Sequence, residues 1–252
     1  MHGDMGFTVV ANWKMNGDKK FVSQFVREIE QQQPKWRHLE VVLCPPQVYL
    51  DFTAQSIVSS SIKVGAQDVW TDDNGAATGN TSPMMLADLG VKYVIIGHSE
   101  RRLYNREDNL MIVNKFRSAC AAGLIPILCI GETAFAKENG RTLSTLFNQL
   151  EIILEFLKEF KSSEFIIAYE PLWSIGTGIA ASYETIRCVH DFVKDIFLQH
   201  NVAVRILYGG SVSEMNIANI AAISSVDGVL VGGASLSFPR FFEICSLAEG
   251  CN

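Results

Sequence analysis

Short apolar runs and amphipathic stretches alternate about eight times along this chain, and few architectures accept that pattern. Strand-like runs fall at 8–11, 41–43, 62–66, 93–96, 126–130, 165–169, 205–207 and 228–231. Helical spacing fills the gaps. Phe21, Val22, Phe25, Val26 and Ile29 share one face, as do Ile186, Val189, Val193, Ile196 and Phe197. A third stripe runs through Leu143, Leu146, Phe147, Leu150, Ile153, Leu154 and Leu157. Ser82-Pro83 reads as a helix start and Gly123 as a helix end, with weaker helical stretches after Val48, Met215 and Pro239. Each strand must return through a helical crossover, so the strands are parallel. No Pro/Gly/Ser-rich linker interrupts the row, and 252 residues suit one closed (β/α)8 barrel. The expected fold is therefore α/β, a single barrel domain over 1–252, with 1–6 as a flexible lead-in. An open doubly wound sheet is the other arrangement the count permits.

Composition narrows the function. Hydrophobic residues make up 48% of the chain and charged residues 19%, with a formal net charge of −6. That balance, without a basic run, does not suit nucleic acid. The longest apolar runs are strand-sized, so no membrane span is expected. Residues 1–6 lack the charged and apolar regions of a secretory signal. The six cysteines are scattered without a C-x-x-C pair, which suggests reduced, mostly buried thiols in a cytoplasmic protein. The five histidines show no ligand spacing, so no metal is expected.

Parallel strands send their C-terminal ends to one rim, where this class of fold places its chemistry. The sixth run ends on Glu170, which Pro171 and a glycine-containing segment follow. The first ends on Asn12-Trp13-Lys14, and residues two apart face the same side, so Asn12 and Lys14 project together. The fourth ends on His98, with Ser99-Glu100-Arg101 opening a helical turn whose N-terminus disfavours added positive charge. His98 is thus expected to be neutral and to donate a hydrogen bond. The last two runs end in Gly209-Gly210-Ser211 and Gly232-Gly233, where bare backbone N–H groups can meet an anion. A carboxylate base beside a neutral imidazole donor suits proton abstraction next to a carbonyl. Gly176-Thr177-Gly178 with Ala181 mimics a dinucleotide fingerprint, but residues 171–175 separate it from its strand. No cofactor is expected.

Asn12-Trp13-Lys14, the run Gly97 to Arg102, Tyr169-Glu170-Pro171, Ile175 to Gly178, Tyr208 to Ser211 and Gly232-Gly233-Ala234 closely resemble the triosephosphate isomerase family, in order and from end to end. The resemblance implies a dimeric TIM barrel, cytoplasmic and glycolytic or gluconeogenic. It would interconvert dihydroxyacetone phosphate and D-glyceraldehyde 3-phosphate through an enediolate. On this sequence it implies Glu170 as the base and His98 as the electrophile, with Asn12 and Lys14 holding substrate. Gly176, Ser211, Gly232 and Gly233 would bind the phosphate. Residues 171–181 would form a closing lid containing Pro171, Trp173, Ile175, Thr177 and Gly178, latched by Tyr208 and Ser211. Ile175 and Leu230 would dry the Glu170 carboxylate and make it more basic. Residues 74–80 would be an arm placing Thr78 in the partner's site of a homodimer.

Two positions depart from the family pattern. Asn80 stands where a glutamate usually pairs with the partner's arginine, here Arg101, and Ile179 replaces a lysine at the lid's second hinge. Two other readings remain at this stage: a different phosphosugar isomerase or epimerase on the same barrel, and a barrel that has become a non-catalytic scaffold.

Overall fold

A computed structural model describes residues 6–59, 61–159 and 164–251, apart from the side chains of Pro34, Lys158 and Glu159. The expected lead-in lies, except for Gly6, outside these residues. Eight parallel strands close on one another in sequence order. They are β1 (Phe7–Asn12), β2 (Leu39–Cys44), β3 (Ile62–Ala66), β4 (Tyr93–Ile96), β5 (Ile125–Ile130), β6 (Ile166–Tyr169), β7 (Arg205–Tyr208) and β8 (Gly228–Val231). The open sheet is thereby excluded, since β8 pairs with β1 from Thr8↔Gly228 to Ala11↔Val231. Every expected strand lies within two residues of an observed one at each end.

The crossovers begin with α1 (Lys19–Gln32), α2 (Leu50–Ser56), α3 (Pro83–Asp88), α4 (Ser99–Tyr104) and α5 (Asn109–Ala121). They continue with α6 (Ala134–Glu138), α7 (Thr142–Glu159), α8 (Tyr183–Gln199), α9 (Ile217–Ala221) and α10 (Phe238–Glu249). Local chemistry starts them where it should. Asp18, Ser82, Asp108, Thr133 and Ser182 each accept a first-turn N–H, a cap whose loss typically costs about 1 kcal/mol. Gly123, at φ 77°, turns the chain out of α5 in the left-handed region.

Period-two alternation sorts the strand residues into two cores. Val10, Val42, Ile95, Ile127, Ala168 and Leu230 belong to a cluster inside the barrel. Their neighbours Val9, Val41, Val94, Leu128, Ile167 and Val229 join the outer cluster, against the helices. Fully burying each such side chain contributes about 1.5–3 kcal/mol, so closure rests on this double layer. The α7 stripe is narrower than its sequence suggests. Leu146, Leu150, Ile153, Leu154 and Leu157 are buried, but Leu143 and Phe147 stay 37% and 41% exposed. Phe147 lies about 80° around the helix from the centre of that stripe, and Leu143 sits in the overhanging first turn.

The six cysteines are free thiols. Cys44, Cys129 and Cys245 are buried, whereas Cys188 and Cys251 are exposed, so fewer are sheltered than expected. Among the described residues, no helix is long and apolar enough to cross a membrane.

Candidate active site at the barrel mouth

Strand parity delivers half of the site directly. Asn12 continues the inward series of Thr8 and Val10, and Glu170 continues that of Ile166 and Ala168. Backbone pairing holds Glu170 beyond its strand, its N–H reaching the Ile130 carbonyl at 2.7 Å. Gly209 and Gly232 hold the matching positions after Leu207 and Leu230. They leave the mouth open where a side chain would fill it.

His98 arrives differently. By strict alternation it would face the helices, but Gly97 breaks the strand with φ 68° and re-aims it. Arg102 braces that turn, its Nε donating to the Gly97 carbonyl at 2.9 Å and its Nη2 to the Cys129 carbonyl at 3.3 Å. Lys14 is also left-handed, at φ 52°, a conformation costing about 1–2 kcal/mol for a non-glycine residue. Two contacts hold it there. The Asn12 Oδ1 accepts the Lys14 N–H at 3.0 Å, and the Lys14 carbonyl accepts from Gln67 Nε2 at 2.8 Å. Trp13 turns away, as expected, into an edge-on stack with Phe21 and Phe25.

The central contact lies between His98 Nε2 and Glu170 Oε1, 3.1 Å apart. Both side chains are nearly buried, at 7% and 2% exposure. The other carboxylate oxygen accepts the Ser99 N–H at 3.1 Å, at the start of α4. His98 Nδ1 accepts the Glu100 N–H at 3.2 Å, which an imidazolium cannot do, so that bond belongs to the neutral Nε2–H tautomer. Charge acts in the opposite sense. Burial pushes the His98 pKa down, but the facing Glu170 carboxylate outweighs burial and leaves it raised. The sequence reading names only the helix N-terminus, which disfavours charge on His98; the facing carboxylate acts the other way. Glu170 responds to the same contact. Burial pushes its pKa up, yet His98 and the Ser99 N–H together leave it lowered. In this arrangement the carboxylate is made less basic.

Lys14 extends past Gly232, whose missing Cβ would lie 3.4 Å from the lysine Cε, and its Nζ reaches Glu100 Oε1 at 2.6 Å. A cavity of about 560 Å³ collects Asn12, Lys14, His98 and Glu170 on one side. Gly176, Ser211, Gly232 and Gly233 line it too, as do Ile175, Gly178 and Leu230. Tyr208, an expected latch, is buried off this cavity, and four more expected residues also lie off it. Pro171 is buried, Trp173 is half-buried, and Thr177 and Thr78 are exposed.

The lid segment is pinned at both ends and exposed between. Trp173 Nε1 donates to Glu132 Oε1 at 2.8 Å while Lys137 Nζ sits 3.2 Å over its ring. At the far end, Ala181 N–H donates to Tyr208 Oη at 2.9 Å. Ser211 Oγ donates to the Ser174 carbonyl at 2.7 Å. Tyr208 and Ser211 thus both hold the lid segment. Glu132 and Ser174 escape the sequence reading. Glu132 follows the end of β5, the polar-residue-at-a-strand-end signal that singles out Glu170, whereas a serine inside a turn carries no signal. Ile179 is 69% exposed.

Arg101 finds its partners within the chain. Its Nη2 is 2.7 Å from Asp68 and its Nε 2.7 Å from Glu107, and Lys115 Nζ reaches the same two carboxylates at 2.7 and 2.6 Å. Asn80 uses its N–H to close a turn onto the Ala77 carbonyl.

Known proteins resemble this chain along almost its whole length. A sequence model of the family described as triosephosphate isomerase matches residues 7–248. The triosephosphate isomerase of Psychromonas ingrahamii is 39% identical over 245 residues, covering 96% of this chain and 98% of that protein. That of Photorhabdus laumondii is 41% identical over 244 residues, covering 95% and 96%. That of Baumannia cicadellinicola is 41% identical over 245 residues, with the same coverage.

Proposed function

This chain belongs to the triosephosphate isomerase family and interconverts dihydroxyacetone phosphate and D-glyceraldehyde 3-phosphate; from that premise we propose how its residues divide the reaction. Glu170 moves the proton between the two adjacent carbons. His98 donates through Nε2–H to the carbonyl oxygen and then serves both oxygens of the enediolate. Asn12 and Lys14 hold the substrate and offset its growing negative charge. The N–H groups of Gly176, Ser211, Gly232 and Gly233 bind the phosphate.

One observation carries this reading: His98 Nε2 and Glu170 Oε1 stand 3.1 Å apart at the wall of a single cavity. It also supplies an activation step. A substrate oxygen takes the place of Glu170 as acceptor for His98 Nε2–H. The carboxylate then loses the larger of its lowering contacts and keeps the Ser99 N–H, while burial still pushes its pKa up. The base thus becomes more basic when substrate is present. Closure of residues 171–181 brings Ile175 over the carboxylate opposite Leu230 and excludes water.

The protein works as a homodimer. Met15, Met84, Met85, Leu103 and Tyr104 are 50–93% exposed on segments following β1, β3 and β4, all among the first four strands of the barrel. The exposed 74–80 arm adjoins them in sequence, with Thr78 presented to the partner. The closing of β8 on β1 supports one domain over 1–252. Free thiols and bacterial relatives support the cytoplasm.

The test is a coupled assay with glyceraldehyde 3-phosphate on wild type and Glu170→Gln. Replacing a positioned general base lowers kcat by roughly two to four decades with modest change in KM. Near-normal turnover by the variant removes Glu170 from its role.

A further inference from the structure

The cavity is lined by two cationic side chains, Lys14 and Arg240, and nothing above gives Arg240 a task. Arg240 sits in the first turn of α10, just after the Gly232-Gly233 loop. That is an unfavourable place for a cation, because the positive end of the helix dipole lies there and no acidic residue shares the turn. Compensation comes from outside the helix. Arg240 Nε is 3.0 Å from Glu214 Oε1, and Nη2 is 3.1 Å from Oε2, a two-pronged pair. Glu214 lies three residues beyond Ser211, so the pair spans the loops that follow β7 and β8. These loops supply three of the four amides assigned to the phosphate, those of Ser211, Gly232 and Gly233. Both partners stay accessible, at 48% and 31% exposure. The Glu214 carboxyl is held below its usual range by this guanidinium.

We propose that Arg240 is a specificity-determining residue that draws and selects the anionic end of the substrate, with Glu214 setting how much of its charge the cavity feels. The inference rests on the reading of the glycine amides as the phosphate end. An exposed guanidinium already paired to a carboxylate offers a modest field, strongest at low salt. An arriving dianion competes with Glu214 for the same N–H groups, so the pair acts as a charged rim and not as part of the proton-transfer machinery.

The two partners make opposite predictions, which a bracing role would not. Arg240→Gln removes the cation and should raise KM for glyceraldehyde 3-phosphate, and Ki for inorganic phosphate, about two- to fivefold at low salt. Glu214→Gln removes the competing anion and should lower both by a similar factor. The change falls on KM, shrinks as salt is added, and is absent with glyceraldehyde, which carries no phosphate. If the pair merely ties two loops together, both variants weaken phosphate binding, and that result overturns the inference. So does an unchanged Ki in either variant, or a loss that glyceraldehyde shares. A wild-type enzyme that phosphate does not inhibit would sink the phosphate-end reading itself, and this inference with it.

Discussion

Gly209 is placed to test how tightly the site is built. A Cβ added there would lie 2.9 Å from Glu170 Cγ, about 0.5 Å inside the 3.4 Å at which ordinary contact begins. It would also stand 3.3 Å from the Tyr169 carbonyl oxygen, which cannot yield, because it accepts the Gly209 N–H at 2.7 Å. The glutamate side chain must therefore move. The backbone itself tolerates alanine, since φ at Gly209 lies outside the left-handed region. Misplacing a reacting group by ~1 Å costs about a hundredfold, so a shift of about 0.5 Å should lower kcat about tenfold, or ~1.4 kcal/mol. KM should change little, because the amides that grip the phosphate are untouched. The measurement is steady-state kinetics of Gly209→Ala by the coupled assay, with Tm as a check on folding. A folded variant whose kcat stays within twofold of wild type would refute the claim that Gly209 is absent of side chain for the carboxylate's sake.

Glu170→Gln should also drop the His98 pKa below its ordinary 6.5, because burial then acts without the opposing carboxylate; imidazole NMR titration reads this directly, and an unchanged value contradicts the assigned coupling. In the wild type, the raised His98 stabilises the fold below pH 6.5 and loses that contribution as pH climbs through its folded pKa. The lowered Glu170 stabilises it above pH 4.5 and loses that as pH falls, so the contact contributes most between these limits. Lys14→Met should raise KM by roughly two decades, since a charge-assisted contact to the substrate is lost. Unchanged binding of phosphate-bearing ligands by that variant would exclude the role. His190 is fully buried, with Nδ1 at the Ser225 carbonyl and Nε2 unpartnered, and its pKa is pushed down to about 4. The unfolded chain takes up that proton first, so stability should decline by ~3 kcal/mol as pH falls from 6.5 to 4. Urea denaturation of His190→Asn should show a flatter acid slope, and an identical slope would exonerate this histidine.

The strands were legible because their signal is local. A run of β-formers bounded by glycine or proline needs no partner to be recognised, and observed strands depart from expectation by at most two residues at an end. Asn12 and Glu170 follow from alternation alone. His98 does not, because its aim depends on a left-handed Gly97 braced by Arg102, a contact between residues five apart. Leu143 and Phe147 misled because periodicity marks an apolar stripe without showing how wide its cover is. The cluster of Asp68, Arg101, Glu107 and Lys115 joins residues up to 47 apart, and no spacing rule links them. The pKa directions at the mouth were least legible. They depend on whether Glu170 rests on His98 or on substrate, and a sequence describes neither state.

Parity of the strands has a consequence for how this chain can vary. One residue inserted into β6 would swing the carboxylate from the lumen to the helical jacket and bring an apolar neighbour to the catalytic edge. Two inserted residues would restore the facing but lift the carboxylate by ~6.6 Å, far beyond reach of a three-carbon molecule. Indels within the staves should thus be purged whatever their length, while the exposed outer turns of α1 or α7 absorb them. A deep insertion scan should trace the eight staves as eight silent gaps.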